Sequence, residues 1–304
     1  MRVSFVTCDV FTEHAFAGNP LLVVPDARGL SDRQMQSIAR EINYSESTFV
    51  LPADDPSHAY RQRTFVPVRE IPFAGHPTIG TAVMMAALGR VSAVAGAEMN
   101  TFTIEVGFGP LKLELIRKNG RVSRVRMEQG KPVWDAPLAG KELLGKIASG
   151  LDIPYEALLG PLPPRVVSTG NRFLMLPVSG EAPLAGAAAD PRILSLVESE
   201  LDVLGIYCFV VNESGRVKAR AFCPGSGVPE DPATGSAAGP LGVYLALQEA
   251  LPGGAPSFTI DQGVEMGRPS QLEVEVLLDG NVPTGVRVSG AAVKMMEGSL
   301  ELDG

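Results

Sequence analysis

Cysteine is scarce in this sequence, with only Cys8, Cys208 and Cys223. No two of them form a Cys-x-x-Cys pair, so the usual spacing of structural zinc and redox sites is absent. An odd and sparse set of thiols is typical of a protein in a reducing compartment. The sequence therefore predicts a cytoplasmic protein without a metal site.

Positive charge and long apolar runs are also lacking. Lysine and arginine number 26 against 34 acidic residues, a net charge of −8, and they form no long basic run. This argues against a nucleic-acid-binding surface. No apolar segment approaches the ~18 residues that span a bilayer, and the N-terminus reads as a strand rather than a signal peptide. The expected partner is a small molecule, with neither nucleic acid nor membrane.

Motifs for bound phosphate and catalytic zinc are missing as well. The sequence contains no GxxxxGK[ST], no GxGxxG after a predicted strand and no HExxH. The segment Val106–Pro110 has two glycines but ends in proline, which favours a hairpin turn.

Glycine and proline, in contrast, are abundant, with 33 and 25 among 304 residues. They predict many short elements joined by tight turns, and the length suits two domains. The predicted helices are Ser31–Ile42, Thr78–Leu88, Lys141–Gly150, Pro191–Leu201 and Ala237–Leu247. The predicted strands are Leu21–Val24, Thr48–Leu51, Phe102–Val106, Leu111–Ile116, Val122–Met127, Phe173–Leu176, Tyr207–Val211, Val217–Phe222, Leu272–Leu278 and Val286–Val288. Strands outnumber helices, which indicates an α+β fold.

The chain also repeats itself, because segments of the first half recur in the same order in the second half. The pairs are Gly18–Pro25 with Gly170–Pro177, Thr48–Leu51 with Cys208–Val211, Arg63–Pro67 with Arg220–Pro224, and Glu70–Pro72 with Glu230–Pro232. Each pair alone fits an ordinary turn and strand, but together they predict two copies of one architecture. Two such halves are expected to leave a cleft for a ligand.

Each half has a glycine loop that leads into a predicted helix. The loops are Ile71–Pro77 and Asp231–Ser236. Pro77 suits a first helical turn, where no N–H is needed, and Thr234 or Ser236 suits an N-cap. A helix N-terminus can bind a carboxylate or phosphate. The pattern fits two ordinary capped helices equally well, and the loop chemistry alone leaves both interpretations open.

Glu46 lies where a predicted helix ends near Asn43 and a strand begins near Thr48. The repeat aligns Ile206 with Glu46, so the second half supplies no equivalent base. Asp231 is the acidic residue on the second glycine loop. The two halves therefore differ where chemistry is expected.

The histidines are His14, His58 and His76. His58 follows Asp54–Ser57 in a polar turn and is expected to be solvent-exposed, and His14 lies in another turn. Only His76 stands at the start of a glycine-loop helix, which favours a functional role for it.

Five motifs resemble the phenazine-biosynthesis PhzF-like family, and the match covers nearly the whole chain. They are Asp9–Thr12, Phe16–Pro20, Asn43–Pro52, Pro72–Ala82 and Glu230–Leu241. The resemblance implies a diaminopimelate-epimerase-like fold of two similar domains, each a mixed β-barrel around a central helix. It also implies a homodimer with its active site between the two domains.

The family's characterised isomerase acts on trans-2,3-dihydro-3-hydroxyanthranilate and uses neither metal nor organic cofactor. The resemblance therefore implies an isomerase that moves a proton on a small carboxylate-bearing, cyclic amino acid-like substrate. It assigns the single acid/base to Glu46 and the supporting catalytic roles to His76, Asp231 and Ser236. It assigns substrate binding to Ser45, Gly75, Thr234 and Gly235.

Two alternatives remain on the same fold. One is a two-base epimerase or racemase, whose paired thiols start the two glycine loops; neither loop here contains cysteine. The other is a non-catalytic protein that binds a small molecule or another protein, since fold alone does not fix function.

The domain boundary is expected where Gly130-Lys131-Pro132 follows a strand. This predicts a first half-domain over 1–128 and a second over 129–285, with a C-terminal strand over 286–304 that returns to the first.

Overall fold

The computed structural model describes residues 1–91, 97–212 and 216–302. The chain divides into two compact units. The first comprises Met1–Glu128 and Ser289–Gly304, and the second comprises Gln129–Val288. The return to the first unit thus begins at Ser289, whereas the sequence indicated residue 286.

Short strands dominate both units. Within the described residues they are β1 (Arg2–Val10), β2 (Asn19–Val24), β3 (Glu46–Leu51), β4 (Arg61–Phe65), β5 (Glu70–Ile71), β6 (Met99–Val106), β7 (Gly109–Lys118), β8 (Arg121–Glu128), β9 (Val133–Pro137), β10 (Arg165–Ser168), β11 (Arg172–Pro177), β12 (Gly205–Val211), β13 (Val217–Cys223), β14 (Val228–Asp231), β15 (Ser257–Gln262), β16 (Ser270–Asp279), β17 (Val282–Gly290) and β18 (Ala292–Glu301). The helices are α1 (Asp32–Ile42), α2 (Gly75–Ala87), α3 (Lys141–Gly150), α4 (Glu181–Gly186), α5 (Pro191–Leu201) and α6 (Gly235–Leu247). Strands prevail over helices, so the predicted α+β class is confirmed.

The sheet of the first unit wraps around helix α2. Its strand order is β18–β1–β2–β3–β4–β6–β7–β8, with β5 beside β4. The pairs β2–β3 and β4–β6 are parallel and the other neighbours are antiparallel. Helix α2 contacts β18 and β8, at the two ends of this order, as well as β1, β2 and β3. The strands therefore enclose a central helix.

Helix α2 is suited to this position because it is apolar on all sides, and every residue from Gly75 to Ala86 is buried. Gly80 permits a close approach to the sheet. A Cβ atom there would lie 2.5 Å from Val10 Cγ2 and 2.7 Å from Leu21 Cδ2. This contact fixes the helix against β1 and β2, and with it the position of the N-terminal turn that carries His76.

Helix α1 covers the other face of β2 and β3. It begins at Ser31, whose hydroxyl accepts the Gln34 amide N–H in a capping box, and it ends at Asn43 in the left-handed conformation. Its buried Met35 and Ile38 pack in one core cluster with Phe49 of β3. The left-handed turn at Asn43 leads the chain directly into β3.

The second unit repeats the strand order of the first. Its order is β9–β10–β11–β12–β13–β15–β16, with β14 beside β13, and β11–β12 and β13–β15 are the parallel pairs. Helix α6 contacts β10, β11 and β16. It continues through Pro240 without interruption. The predicted duplication is therefore a duplication of topology.

No helix in the described ranges combines the length and the apolar character needed to cross a lipid bilayer.

Candidate active site

Glu46 is the first residue of β3, directly after the turn that ends α1. It pairs with Leu21 in the parallel β2–β3 ladder. Side chains alternate along a strand, and Phe49 packs on the side of α1, so Glu46 and Thr48 face the side of α2. The Thr48 hydroxyl lies 2.7 Å from the Thr81 hydroxyl of α2, which agrees with this orientation.

His76 is the second residue of α2 and its side chain is 4% exposed. Its Nε2 lies 3.6 Å from Oε2 of Glu46, whose side chain is 18% exposed. The structure thus brings together two of the predicted catalytic residues, one from a strand start and one from a helix start.

Asn19 is a site residue that the sequence reasoning missed. It begins β2, and its Oδ1 accepts a hydrogen bond of 3.2 Å from the Ser45 hydroxyl. Its Nδ2 lies 3.3 Å from Nδ1 of His76. In this orientation of the amide, Nδ2 donates to Nδ1 of His76. This leaves the proton of a neutral His76 on Nε2, which faces Glu46.

The sequence contained a signal for Asn19, since Gly18-Asn19 is repeated as Gly170-Asn171. Gly18 has a φ of +66°, and a Cβ atom there would lie 2.2 Å from the Val10 carbonyl oxygen. Glycine is required at this turn, and the turn delivers Asn19 to the start of β2.

Burial raises the pKa of Glu46 from 4.5 to about 7, and the Ser45 hydroxyl opposes this only in part. A carboxyl group removed from water is less easily ionised, which is the physical cause. Glu46 therefore populates both its charged and its neutral form near neutral pH.

A second polar cluster lies in the second unit around Asp231, the last residue of β14. Its Oδ2 accepts a hydrogen bond of 2.5 Å from the Thr234 hydroxyl. Gln262 on β15 donates to the Asp231 carbonyl oxygen at 2.7 Å and to the Thr234 hydroxyl at 2.9 Å. Asp231 and Thr234 are thus held together, and Gln262 is a further polar residue that the sequence reasoning did not single out.

The start of α6 carries the other predicted residues of the second half. Gly235 and Ser236 are its first two residues, and Thr234 occupies the N-cap position without a side-chain cap. The Gln129 amide donates a hydrogen bond of 2.8 Å to the Gly235 carbonyl oxygen. Thr234 is the N-cap residue, one of the two predicted, but its hydroxyl is bonded to Asp231 and does not cap the helix.

The sheet registers correct one detail of the predicted repeat. Leu21 pairs with Glu46 in the first unit, and the corresponding Phe173 pairs with Gly205 in the second. The counterpart of Glu46 is therefore Gly205 and not Ile206. A Cβ atom on Gly205 would lie 2.3 Å from the Cys223 sulfur. The second unit has no room even for a methyl group where the first carries its carboxyl group.

All three cysteines are buried and free. Burial raises the pKa of the Cys8 thiol far above its usual range and that of Cys208 to about 12, which disfavours the reactive thiolate. None of the thiols lies at the start of α2 or α6. A pair of catalytic thiols at the two helix starts is thus absent, as the loop sequences indicate.

His58 differs from its prediction. Its side chain is only 18% exposed, because Nδ1 lies 2.9 Å from Glu105 Oε1. The same carboxylate accepts the amide N–H groups of Asp54 and Asp55 at 2.8 Å each. His58 therefore belongs to a structural loop anchor, while the side chain of His14 is exposed.

Within residues 1–91, 97–212 and 216–302, no group of three or more His, Cys, Asp or Glu side chains is arranged to hold a metal ion.

Comparison with known proteins decides the family. Residues 8–298 match the family PhzC-PhzF, described as phenazine biosynthesis-like protein. The chain belongs to this family. A trans-2,3-dihydro-3-hydroxyanthranilate isomerase of Pseudomonas aeruginosa is 36% identical over 296 residues, which cover 97% of this chain and 98% of the relative. An uncharacterized isomerase of Mesorhizobium japonicum is 35% identical and covers 98% of both chains. The protein is an enzyme of the isomerase class.

Solved structures of this PhzF-like family have the same fold. The Bacillus anthracis phenazine biosynthesis protein of the PhzF family has a TM-score of 0.87 at 26% identity, covering 99% of this chain and 100% of its own. A probable proline racemase from Agrobacterium radiobacter has a TM-score of 0.66 at 13% identity, covering 99% and 93%, a likeness of fold alone. The epimerase-like fold is therefore confirmed.

Proposed function

We propose that this protein is a cofactor-independent isomerase in which Glu46 carries a proton between two carbon atoms of a small carboxylate-bearing substrate. The observation that carries the proposal is the buried Glu46 carboxyl group, with a pKa of about 7 and at 3.6 Å from the His76 ring. Such a group takes up and releases a proton with similar ease at neutral pH. A reaction that needs one residue as base and then as acid requires this property.

In the proposed reaction, ionised Glu46 removes a proton from a carbon atom of the substrate. The bonding electron pair stays on the substrate and shifts along its conjugated bonds. The carboxylic acid formed exchanges its proton with solvent and then delivers a proton to another carbon atom. Nothing is oxidised or reduced, and substrate and product have the same atoms. A single base suffices, which agrees with glycine at the corresponding position, Gly205, of the second unit.

His76 is proposed to assist this transfer as a neutral hydrogen-bond donor. Asn19 donates to Nδ1, so the proton on Nε2 faces Glu46 and the substrate bound against it. A fixed donor of this kind stabilises negative charge that develops during proton removal.

The proposed substrate class is a cyclic amino acid-like carboxylate. The Pseudomonas aeruginosa relative is named for trans-2,3-dihydro-3-hydroxyanthranilate, a ring compound with a carboxylate group. Neither α2 nor α6 has a side-chain cap, which suits the amides of Gly75 and Gly235 to binding an anionic group. The Ser45 and Ser236 hydroxyls are proposed to contribute further hydrogen bonds.

Asp231 is proposed to support catalysis as an acceptor for a donor group of the substrate. The hydrogen bond from Thr234 to Oδ2 stabilises its ionised form and fixes its orientation. A two-base epimerase is less well supported, because no thiol lies at the start of α2 or α6. A non-catalytic role is less well supported, because the buried Glu46 carboxyl group with its raised pKa lies 3.6 Å from the His76 ring at a helix start.

The test is hydrogen exchange in D2O. The wild-type protein is incubated with trans-2,3-dihydro-3-hydroxyanthranilate and a panel of small cyclic amino acids and carboxylic acids, and deuterium at carbon is read by NMR and mass spectrometry. We expect incorporation that rises with pH as Glu46 ionises near pH 7. Glu46→Gln should lower the rate by about 10²–10⁴-fold, the usual contribution of a general base.

Glu198→Gln is the matched control. Glu198 is also a buried carboxyl group whose pKa is raised to about 7, but its Oε2 accepts the Gly225 N–H at 2.6 Å on a structural turn. We expect it to keep the wild-type exchange rate. Full exchange in Glu46→Gln would show that another residue is the base.

A further inference from the structure

Gln262 forms a completely satisfied hydrogen-bond network around Asp231. Its Oε1 accepts from the Tyr207 hydroxyl at 2.8 Å and from the Thr234 amide N–H at 3.1 Å. Its Nε2 donates to the Asp231 carbonyl oxygen and to the Thr234 hydroxyl. Gln262 and Tyr207 are fully buried. All four hydrogen-bonding positions of the amide are therefore used within the protein.

The partners fix which way the amide points. The Thr234 N–H can only donate and the Asp231 carbonyl can only accept, so Oε1 faces the first and Nε2 faces the second. The Thr234 hydroxyl consequently accepts from Gln262, and its own proton is directed to Asp231 Oδ2 at 2.5 Å. A distance this short is typical of a hydroxyl that donates to an ionised carboxylate. The hydrogen bonds run in one direction, from Gln262 through Thr234 to Asp231.

The first unit folds in the same way without this network. Gly107 and Gly263 define the equivalence, because each lies directly against the proline of its glycine loop, Pro72 and Pro232. Gln262 then corresponds to Val106, the residue before Gly107.

The other members of the network are replaced as well. The β4–β5 and β13–β14 registers match Asp231 with Ile71, and Thr234 matches Ala74 at the helix N-cap. Gln262, Asp231 and Thr234 thus all have apolar counterparts in the first unit. Because the duplicated fold forms without the network, the fold does not require it.

We propose that Gln262 is a positioning residue for Asp231, acting through the hydroxyl group of Thr234. The hydroxyl proton, the amide N–H and the carbonyl oxygen of Thr234 are all bonded within the protein. Thr234 therefore orients the Asp231 carboxylate. The inference rests on the proposed function, in which Asp231 accepts a hydrogen bond from the substrate.

Gln262→Met and Thr234→Val keep the volume of the side chains and remove their hydrogen bonds. We expect each to lower kcat/KM on the exchanging substrate by about 10- to 100-fold, the effect of a catalytic group misplaced by ~1 Å. The double variant should be no worse than the stronger single variant, because both changes act on one hydroxyl group. Effects that multiply in the double variant would overturn the proposal.

Gln62→Met is the matched control in the first unit. Gln62 is buried and donates to the Thr64 and Thr78 hydroxyls at 3.2 and 3.4 Å, both within the first unit. We expect a similar loss of thermal stability with wild-type kcat/KM. An equal loss of kcat/KM in Gln62→Met would reduce the role of Gln262 to general stability and overturn the proposal.

A measurement without substrate separates this proposal from the proposed function. We expect the Thr234 hydroxyl proton to give a downfield, slowly exchanging signal in the ¹H NMR spectrum, because its bond to Asp231 is short and partly buried. The signal should vanish in Thr234→Val, shift upfield in Gln262→Met and remain in Gln62→Met. An unchanged signal in Gln262→Met refutes the directional chain.

The variant Asp231→Asn tests the proposed function separately from the positioning role of Gln262. If it keeps full exchange activity, the proposed role of Asp231 fails, whatever the hydroxyl signal does. If it lowers activity while Gln262→Met does not, the proposed function stands and only the positioning role of Gln262 fails.

Discussion

The two units have the same strand order around a central helix of their own, yet they differ in several polar side chains near the start of that helix. The first unit carries Glu46 and His76, and the second has Gly205 and Ser236 at those positions. Conversely, the second carries Asp231 where the first has Ile71. The comparison separates what the fold needs from what the chemistry needs. Side chains that differ between the units are the first candidates for function, whereas a shared residue such as Asn19 joins them only through its contact with His76.

The residues that both units share support this division. Arg63 binds Glu70 through two nitrogen atoms and stacks over Phe65, and Arg220 does the same with Glu230 and Phe222. Each pair joins the two strands that lead into a glycine loop. In the first unit this ion pair is followed by Ile71, which is not a candidate site residue. Because the ion pair is present in both units, we assign it to the folding of the strands.

The largest expected effect is on the pH dependence of the free energy of unfolding. The pKa of Glu46 is raised from 4.5 to about 7 in the folded protein, so the folded state binds more protons than the unfolded state between these pH values. The free energy of unfolding therefore falls as pH rises through this window. Glu46→Gln removes this dependence and should gain on the order of 3 kcal/mol relative to wild type between pH 4.5 and 8.

Denaturant unfolding at several pH values measures this effect. Glu198→Gln should also reduce the dependence of the free energy of unfolding on pH, since burial likewise raises the pKa of Glu198 to about 7. Only the Glu46 change should also abolish exchange. Parallel pH curves for Glu46→Gln and wild type would show that Glu46 titrates as an ordinary exposed carboxyl group.

An intermediate loss of stability is expected when a side chain is added at Gly205, the counterpart of Glu46. Gly205→Ala places a Cβ atom 2.3 Å from the Cys223 sulfur and 2.8 Å from the Phe222 carbonyl oxygen. Overpacking of this kind should lower the free energy of unfolding by about 1–3 kcal/mol. The combination with Cys223→Ala should recover part of the loss, which thermal unfolding would reveal. A fully stable Gly205→Ala would show that the second unit has room for a side chain at this position.

The smallest expected effect compares the two Gly-Asn turns. Asn19 bonds Ser45 and lies against His76, whereas Asn171 is its counterpart in the second unit. Asn19→Ala should lower kcat/KM by about 10-fold, at the lower end of the effects of supporting residues. Asn171→Ala should leave kcat/KM unchanged. Equal effects from both variants would mean that the turn, and not the contact with His76, is what matters.

The sequence predicted the parts of the site that are local in the chain. A carboxylate between a helix end and a strand start, and a histidine in a glycine loop, are visible as Glu46 and His76 without coordinates. Their distance of 3.6 Å is not, because it depends on the packing of Gly80 against β1 and β2.

The error at Ile206 has a clear physical cause. Matching Phe49 to Phe209 by residue type shifts the alignment by one position, and in a strand such a slip moves every side chain to the opposite face. Phe209 in fact packs against Tyr244 of α6, while the counterpart of Phe49 is Cys208. Only the ladder registers reveal this.

Gln262 was beyond prediction for a different reason. It lies on β15, Ser257–Gln262, which has few β-branched residues and was not predicted as a strand. Its partners come from β12, from β14 and from the start of α6. A network assembled from segments so distant in the chain leaves no local pattern to detect.

The sulfur of Cys223 against Gly205 also constrains how such an enzyme can change its chemistry. To acquire a second base, the second unit would need a larger side chain at position 205, but that change alone creates a steric clash. A smaller residue at position 223 would relieve only the contact with sulfur, because a Cβ atom at position 205 would also lie 2.8 Å from the Phe222 carbonyl oxygen. Evolution or design toward a two-base racemase therefore needs a shift of the strand backbone together with the substitutions at positions 205 and 223.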